Sequence, residues 1–316
     1  MVKKRAVEVV PYNPNWPDMF QQEATKIQTV LGDNCIKVLH IGSTSIPGLA
    51  AKPIIDIIPV VKNIYAVDDK TLQSIGYTCI GESGMLFRKH GHKYETEARF
   101  HLHIWEENNA EIDKHILFRQ YLIDHPEDLK TYEALKLKLA KKFSDDGRAY
   151  ALSKDILLKE ILSKTGFKGK LIVQALTEKE WNAYHRIKKE QIFDKLSILY
   201  NTTHPTITAT NHFHFVLSLG VDVVGIAHIK ILDETRASLK HFAVDTPHQN
   251  QGLGTWFLNQ LERWIYHKNI HLIALHANPE AVLFYKQLGY SEMPFLESKP
   301  LKGGFIDLGK ILVKKS

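Results

Sequence analysis

Apolar residues at Trp16, Phe20, Ala24, Ile27 and Leu31 recur with the spacing of one helix face, and Pro17 suits a first helical turn, so the chain opens on a helix. Two β-branched runs follow, Lys37 to Ile41 and Ile54 to Val61, separated by Gly42-Ser-Thr-Ser-Ile-Pro-Gly48, whose glycines and proline are turn chemistry. Arg99 to Trp105 alternates with period two and predicts another strand. From Ile112 to Ser163 the pattern is helical, broken near Pro126 and at Ser144-Asp-Asp-Gly147. The first part therefore reads as α+β with its helices last. The polar stretch Ser163 to Lys170 holds two glycines and precedes a new strand at Leu171 to Ala175, so the boundary is expected near residue 167, giving domains 1–166 and 167–316.

Beyond it the pattern predicts a helix from about Glu178 to Leu196 and strands near His214–Leu219, Val223–Ile231 and Leu239–Val244. A glycine loop and an amphipathic helix follow, with Leu253, Phe257, Leu258, Leu261, Trp264 and Ile265 on one face. A strand at His271–His276, a helix at Pro279–Leu288 and a last strand at Gly304–Val313 complete the chain. No internal repeat or low-complexity tract is visible.

Composition changes this picture little. A chain of 316 residues suits two cores rather than one. Hydrophobic residues at 44% and charged ones at 24% exclude a disordered or collagen-like chain. The net charge of +6 is modest for this length, and the lysines of Lys136 to Lys142 alternate with apolar residues. That stretch reads as a solvated helix face rather than a nucleic-acid patch, so no nucleic-acid partner is expected. Cys35 and Cys79 stand alone, which supports neither a disulfide framework nor a zinc knuckle. The basic start, Met1 to Arg5, runs into Val7-Glu-Val-Val-Pro11 rather than a signal core, and no stretch approaches the ~20 apolar residues of a membrane span. A cytoplasmic protein without a membrane partner is expected.

The most informative segment is Phe242-Ala-Val-Asp-Thr-Pro-His-Gln-Asn-Gln-Gly-Leu-Gly-Thr255, a strand, a glycine loop and a helix start. Unpaired main-chain N–H groups at such a start point at one spot with the positive end of the helix dipole behind them, so a pyrophosphate can sit there without a lysine. Taken alone, a Gly-x-Gly pair is as well explained as a helix-entry turn. The run Gln249-Asn-Gln-Gly252-Leu-Gly254 resembles the pyrophosphate loop of the GNAT acetyltransferases. After one more strand, Asn278-Pro-Glu-Ala281-Val-Leu-Phe-Tyr285-Lys-Gln-Leu-Gly289-Tyr290 is similar to that family's second motif. The resemblance runs from about Lys170 to the end of the chain.

It implies a mixed, mostly antiparallel sheet flanked by helices, with two central strands splayed around the pantetheine arm of acetyl-CoA. It also implies a set of coenzyme contacts: Phe242, Ala243 and Val244 on the first splayed strand, Gln249, Asn250, Gln251, Gly252, Leu253, Gly254 and Thr255 around the pyrophosphate, and Asn278 on the arm. Tyr285 is expected to protonate the departing thiolate, although core filler beside Phe284 is the plainer account of the same residue. The implied reaction is direct attack by an amine, from a small molecule or a protein. Asp245, His241 and His276 are the candidate bases, and ordered water would also serve. The acceptor is left open; the first helices and the 196–211 loop would set it.

In the first domain, Leu39-His-Ile-Gly-Ser-Thr-Ser-Ile-Pro-Gly-Leu-Ala-Ala-Lys-Pro-Ile-Ile-Asp-Ile57 places a Gly-Ser pair after a strand and a carboxylate on the next. That layout seats phosphate on Gly42 and Ser43 and a divalent cation such as Mg²⁺ on Asp56. The stretch resembles the GrpB family, which implies a nucleotidyltransferase-like α+β fold. Phe100-His-Leu-His103, Phe118-Arg-Gln-Tyr-Leu122 with His125-Pro126, Tyr132-Glu-Ala-Leu-Lys-Leu-Lys-Leu-Ala140, and Tyr150 with Lys154 extend the match from about Val7 to Ser163.

The sequence departs from active nucleotidyltransferases in lacking a second carboxylate, since Ile58 stands where Asp-x-Asp would continue. His101 and His103 share one strand face and would complete a metal site with Asp56, though imidazole suits transition metals better than magnesium. Gly42, Ser43, Lys52 and Asp56 are the candidate nucleotide contacts. The alternative is a domain that keeps the fold only to bind a ligand or partner. The whole reads as an N-acetyltransferase fused to a GrpB-like domain. An acetyl-CoA sensor and a bifunctional transferase are the competing readings, and the oligomeric state is open.

Overall fold

The computed structural model describes residues 7–95, 99–294 and 304–313; the basic start Met1 to Arg5 lies outside them. The chain divides into two compact units, Met1–Leu171 and Ile172–Ser316. No helix among the described residues is long and apolar enough to cross a membrane.

The N-terminal unit opens with α1 (Trp16–Leu31), β1 (Cys35–Ile41) and β2 (Ile54–Val61). It continues with α2 (Asp69–Gln73), β3 (Thr78–Cys79), β4 (Lys89–Tyr94) and β5 (Arg99–Glu106), and ends with α3 (Ala110–Asp124), α4 (Pro126–Lys142), α5 (Gly147–Leu152) and α6 (Asp155–Lys164). Its sheet runs β1-β2-β5-β4-β3, with β2 and β5 parallel and the other pairs antiparallel. Trp16, Ile27 and Leu31 of α1 bury against Ile55, Ile57, Phe100, Leu102 and Ile104, which is what their helical spacing is for. A second cluster gathers Ile46, Leu49, Leu122, Tyr132 and Ile161 from the 42–49 loop and the later helices.

One strand went unpredicted, and one expectation needs correction here. The strand β4, Lys-His-Gly-His-Lys-Tyr, carries no aliphatic residue to alternate, so period-two reasoning had nothing to find. The lysine-rich face of α4 is solvated at Lys138, Lys141 and Lys142, but Lys136 is not: it is 1% exposed, and its ammonium donates to the Ala50 carbonyl. Spacing along α4 turns that one lysine inward between Tyr132, Leu139 and Ala140, the other buried residues of the helix.

The C-terminal unit contains β6 (Lys170–Gln174), α7 (Glu178–Lys188), β7 (His212–Leu219), β8 (Asp222–Ile231) and β9 (Arg236–Val244). After these come α8 (Leu253–Tyr266), β10 (Leu272–Ala277), α9 (Val282–Gln287), β11 (Ser291–Glu292) and β12 (Ile306–Ile311). The sheet order is β11-β12-β10-β9-β8-β7-β6, and β9/β10 is its parallel pair among the registers that are described. Thr177 and Glu180 close a capping box at the start of α7. The expected helix to Leu196 ends as an α-helix at Lys188 and continues as one π-helical turn, Lys189–Phe193. Val216 packs with Tyr184 and Ile187 of α7, while its neighbour Phe215 meets Trp264 of α8 at 5.0 Å between ring centroids. Successive strand residues face opposite ways, so α7 and α8 cover opposite faces of the sheet.

Candidate functional site

Strands β9 and β10 pair over three residues only, Arg236 to Ser238 against Leu272 to Ala274, yet β9 runs on to Val244 and β10 to Ala277. Beyond Ser238 the two diverge. The β8/β9 ladder shifts register there, with His228 opposite His241 and Ile229 opposite Leu239, leaving Lys240 as the extra residue of a bulge. A bulge bends its strand and sharpens the twist, which carries the end of β9 away from β10. Asp245 N–H donates to Val224 O at 2.8 Å, and hydrogen-bonded pairs alternate along an antiparallel ladder. The main-chain groups of Ala243 are therefore turned toward Ile226 of β8, whereas those of Phe242 and Val244 face the gap. The Val244 carbonyl already accepts the Gln249 side-chain amide at 2.8 Å. Ala243 packs its methyl on the α7 side and is not brought to the gap.

The loop after β9 ends with Asn250 at φ 59° and Gly252 at φ 74°, the latter capping α8. Gln249 N–H is spent on Thr246 O at 3.2 Å, and the helix ladder begins with Trp256 N–H on Gly252 O at 3.0 Å. Among the described residues, no acceptor takes the main-chain N–H groups of Asn250, Gln251, Gly252, Leu253, Gly254 or Thr255. The Gln251 side chain turns back to Pro247 O. Gly254 faces the rings of Phe284 and Phe242 at 3.6 and 3.8 Å from where a Cβ would stand. Across the gap, Asn278 Oδ1 caps the turn by accepting Glu280 N–H at 3.2 Å. Tyr285 is buried against Phe284 and Tyr290, and burial pushes its hydroxyl well above its ordinary value, so it keeps its proton.

His241 projects to the opposite face from Phe242, beside Phe193 of the π-helical turn. Its Nδ1 lies 3.1 Å from His228 Nδ1, and His228 Nε2 lies 2.7 Å from His212 Nδ1. Burial, with Lys188 and Lys240 adding, holds His241 neutral, well below the usual histidine range. His228 is lowered too, by burial first and by its histidine neighbours after that. Lys188 is 4% exposed, flanked by Tyr184, Phe193 and Tyr200, and burial lowers it to about 8. Asp245, by contrast, is occupied: its Oδ2 holds Arg186 at 2.7 Å and its Oδ1 accepts Thr246 N–H and the Gln191 amide. His276 is likewise paired, with Asp307 at 2.7 Å. His212 and His228 were not singled out from sequence. The signal was their cross-strand register, which no single strand reveals.

In the N-terminal unit, β2 sits between β1 and β5, so Asp56 lies opposite Ile41 on one side and His101 on the other, while His103 lies opposite His90 of β4. Asp56 Oδ1 is 3.6 Å from both His101 Nδ1 and His103 Nε2. One ring nitrogen each from His90, His101 and His103 lies within 4.8 Å of the other two. Burial would raise Asp56, but His103, His101 and Lys52 outweigh it and keep the carboxyl below its ordinary value. Gly42, at φ 71°, lies under that carboxylate: a Cβ there would stand 2.4 Å from Asp56 Oδ2. Gly42, Ser43, Lys52, Asp56, His101 and His103 are thus brought to one place, and His90 joins them. Three imidazoles can hold a transition ion, with the Asp56 carboxylate beside two of them; Mg²⁺, which prefers oxygen ligands in an octahedron, fits this donor set poorly.

A model of the GrpB protein family matches residues 6–164, half of the chain. The chain belongs to the GrpB family. Its second part is a GNAT acetyltransferase domain, matched by that family's model over residues 173–290. The GrpB domain is 40% identical to the UPF0157 protein YqkA of Bacillus subtilis over 158 residues, 49% of this chain and 46% of YqkA; the match therefore spans less than half of that relative. The crystal structure of conserved protein GrpB from Enterococcus faecalis is 39% identical, covering 50% of this chain and 96% of that one, with a TM-score of 0.48. A putative N-acetyltransferase from Lactobacillus plantarum covers 46% of this chain and 99% of its own at 14% identity and a TM-score of 0.40.

Because Gly42 combines a left-handed backbone with a Cβ position filled by Asp56, Gly42→Ala is expected to lower stability by about 1–3 kcal/mol in a denaturant titration. An unchanged midpoint would contradict this packing.

Proposed function

We propose that the C-terminal domain is an acetyl-CoA-dependent N-acetyltransferase that passes the acetyl group directly to an amine of a small molecule or a protein. The observation that carries this reading is the early end of the β9/β10 ladder beside a fourteen-residue helix whose first amides lack acceptors. Acetyl-CoA would supply the acetyl group as an activated thioester. The amides of Asn250 to Thr255 would bind its pyrophosphate, aided by the helix dipole. Main-chain groups of Phe242 and Val244 would orient the pantetheine arm, with Asn278 beside it.

His241 would take the amine's proton on Nε2 while passing its Nδ1 proton to His228, and His228 would pass its own to the half-exposed His212. Such a relay keeps charge from resting on the most buried ring. Tyr285 would give its proton to the departing sulfur as the carbon–sulfur bond breaks and the carbon–nitrogen bond forms. Asp245, tied to Arg186, would anchor α7 to the loop rather than act as base, and His276 would pair with Asp307.

For the GrpB domain we infer a transition-metal centre held by His90, His101 and His103, with Asp56 beside it.

Thiol release from acetyl-CoA with a panel of polyamines, aminoglycosides, amino acids and peptide N-termini tests the activity; silence throughout despite coenzyme binding would favour a sensor. Tyr285→Phe should lower kcat about 10²–10⁴-fold with little change in CoA affinity by calorimetry. His241 works as the neutral ring and its pKa is depressed, so its acidic limb in kcat should lie below pH 6.5. His241→Gln should remove that limb and cost about 10²-fold; an unaltered profile would exclude the relay. After dialysis against Zn²⁺, metal analysis should find one ion per chain, with affinity weakened at least about tenfold in His90→Ala and in His101→Ala and no competition from Mg²⁺.

A further inference from the structure

Lys188 ends the inward face of α7, one turn beyond Tyr184 and next to Ile187, the other buried residues of that helix. Its side chain is 4% exposed, and the π-helical turn that begins at the following residue brings Phe193 against it. The ammonium stands 5.4 Å from the centroid of the Tyr184 ring, 5.9 Å from that of Phe193 and 5.7 Å from that of Tyr200. Among the described residues, no oxygen accepts from its Nζ and no carboxylate lies within ion-pair distance. Yet Nζ is not one of the unpaired polar atoms sealed from solvent, and Phe193, Tyr200, His185 and His241 beside it are each partly exposed.

The carboxylates nearest to it along the chain and at the end of β9 are committed elsewhere. Arg186 holds Glu190 at 2.9 Å and Asp245 at 2.7 Å, and Lys189 holds Asp194 at 2.7 Å. Burial lowers Lys188 with no acid group opposing it. Removing an ammonium from water is costly unless a group of opposite charge replaces the lost solvation. Ring faces offset part of that cost, but they bring neither a counter-charge nor an acceptor for three N–H groups.

The other polar groups of this wall are paired. The Tyr184 hydroxyl lies 2.8 Å from His214 Nδ1, His214 Nε2 lies 2.8 Å from the Thr206 carbonyl, and the Tyr200 hydroxyl lies 2.6 Å from His185 Nδ1. What remains is a cation and a base: the Lys188 ammonium and His241 Nε2, since Nδ1 of that ring faces His228. Both side chains lie against the Phe193 ring, and after burial Lys188 is the largest influence holding His241 neutral.

We propose that Lys188 anchors a carboxylate carried by the acetyl acceptor, which is therefore an amino acid or a similar small molecule bearing both an amine and a carboxylate. The inference rests on the acetyl-transfer reading of this domain and narrows it. One carboxylate brings one negative charge and two acceptor oxygens, which balances one ammonium, whereas a phosphate brings up to two charges. A polyamine would place a second cation beside one that already lacks a partner. With the carboxylate held at Nζ, the amine of the same molecule is left to reach His241 Nε2.

The test is calorimetric titration of the full-length protein with CoA present, followed by thiol release from acetyl-CoA with the same compounds. The probes are the protein amino acids, β-alanine, phosphoethanolamine and putrescine, together with the carboxamide of each amino acid that binds. At least one amino acid is expected to bind, its carboxamide at least about tenfold more weakly, and Lys188→Met is expected to close that gap. Because this variant removes a buried charge and keeps most of the chain length, its melting temperature should hold or rise and its CoA affinity should not change. Lys188→Gln is the second variant, should Lys188→Met not fold. A lysine with a structural role only would lower the melting temperature and leave the difference between acid and amide in place. Equal binding of acid and amide, a difference that survives in a folded variant, or no binding by any amino acid would overturn the assignment. Tighter binding of phosphoethanolamine than of β-alanine, or of putrescine than of every amino acid, would overturn it too. Amino-acid binding that depends on Lys188 without thiol release would refute acetyl transfer and leave the anchor standing, so the two failures are distinguishable.

Discussion

Beyond Ser238, the main chain of β9 has a hydrogen-bonding neighbour on one side only, because β10 leaves the ladder at Ala274. Unsatisfied N–H and C=O groups inside a fold are expensive, so an opened ladder persists only where something else meets them. At Val244 the Gln249 side chain meets the carbonyl. The main-chain groups of Phe242 face the gap with no such partner on the β10 side. The bulge at Lys240 is the local device that makes this possible: one extra residue bends β9 away from its partner while β8 continues to hold it. The pyrophosphate and pantetheine contacts proposed above, and the role proposed for Tyr285, all depend on that divergence.

The two faces of the sheet divide the chemistry. On the α8 side, Phe242 packs against Phe257 and Phe284, and the rings of Phe242 and Phe284 lie over Gly254. On the α7 side, polar groups take over: Tyr184 bonds His214, His185 bonds Tyr200, and His241, His228 and His212 form a chain toward solvent. Such networks are stable only when each member has a partner, and these rings supply one another's partners.

The GrpB domain poses the complementary problem of excess positive charge. Its sheet gathers Asp56 with three histidines, and its last helices bring Lys136 and Lys154 against Tyr132 and Tyr150 near Lys52. One carboxylate cannot balance this set. A metal cation bound at the imidazoles would add to this excess rather than relieve it.

Much of this was legible in the chain itself. Local periodicity located α1, β2, β5 and α8, since each has an apolar face whose spacing survives without tertiary information. The glycine loop Gln249 to Gly254 and the Asn278 to Tyr290 segment marked the acetyltransferase part through their resemblance to that family's two motifs, since the loop's main-chain donors alone suit a helix-entry turn equally well. The exceptions share one cause. Strand β4 has no aliphatic alternation, Lys136 looks solvated until α4 is docked, and His90, His228 and His212 acquire meaning only through the strands beside them. Asp245 resembles a base until Arg186, fifty-nine positions earlier, is found on it. Which main-chain groups are spent and which are free, and which charges have partners, are properties of pairs distant in sequence, and only the folded chain decides them.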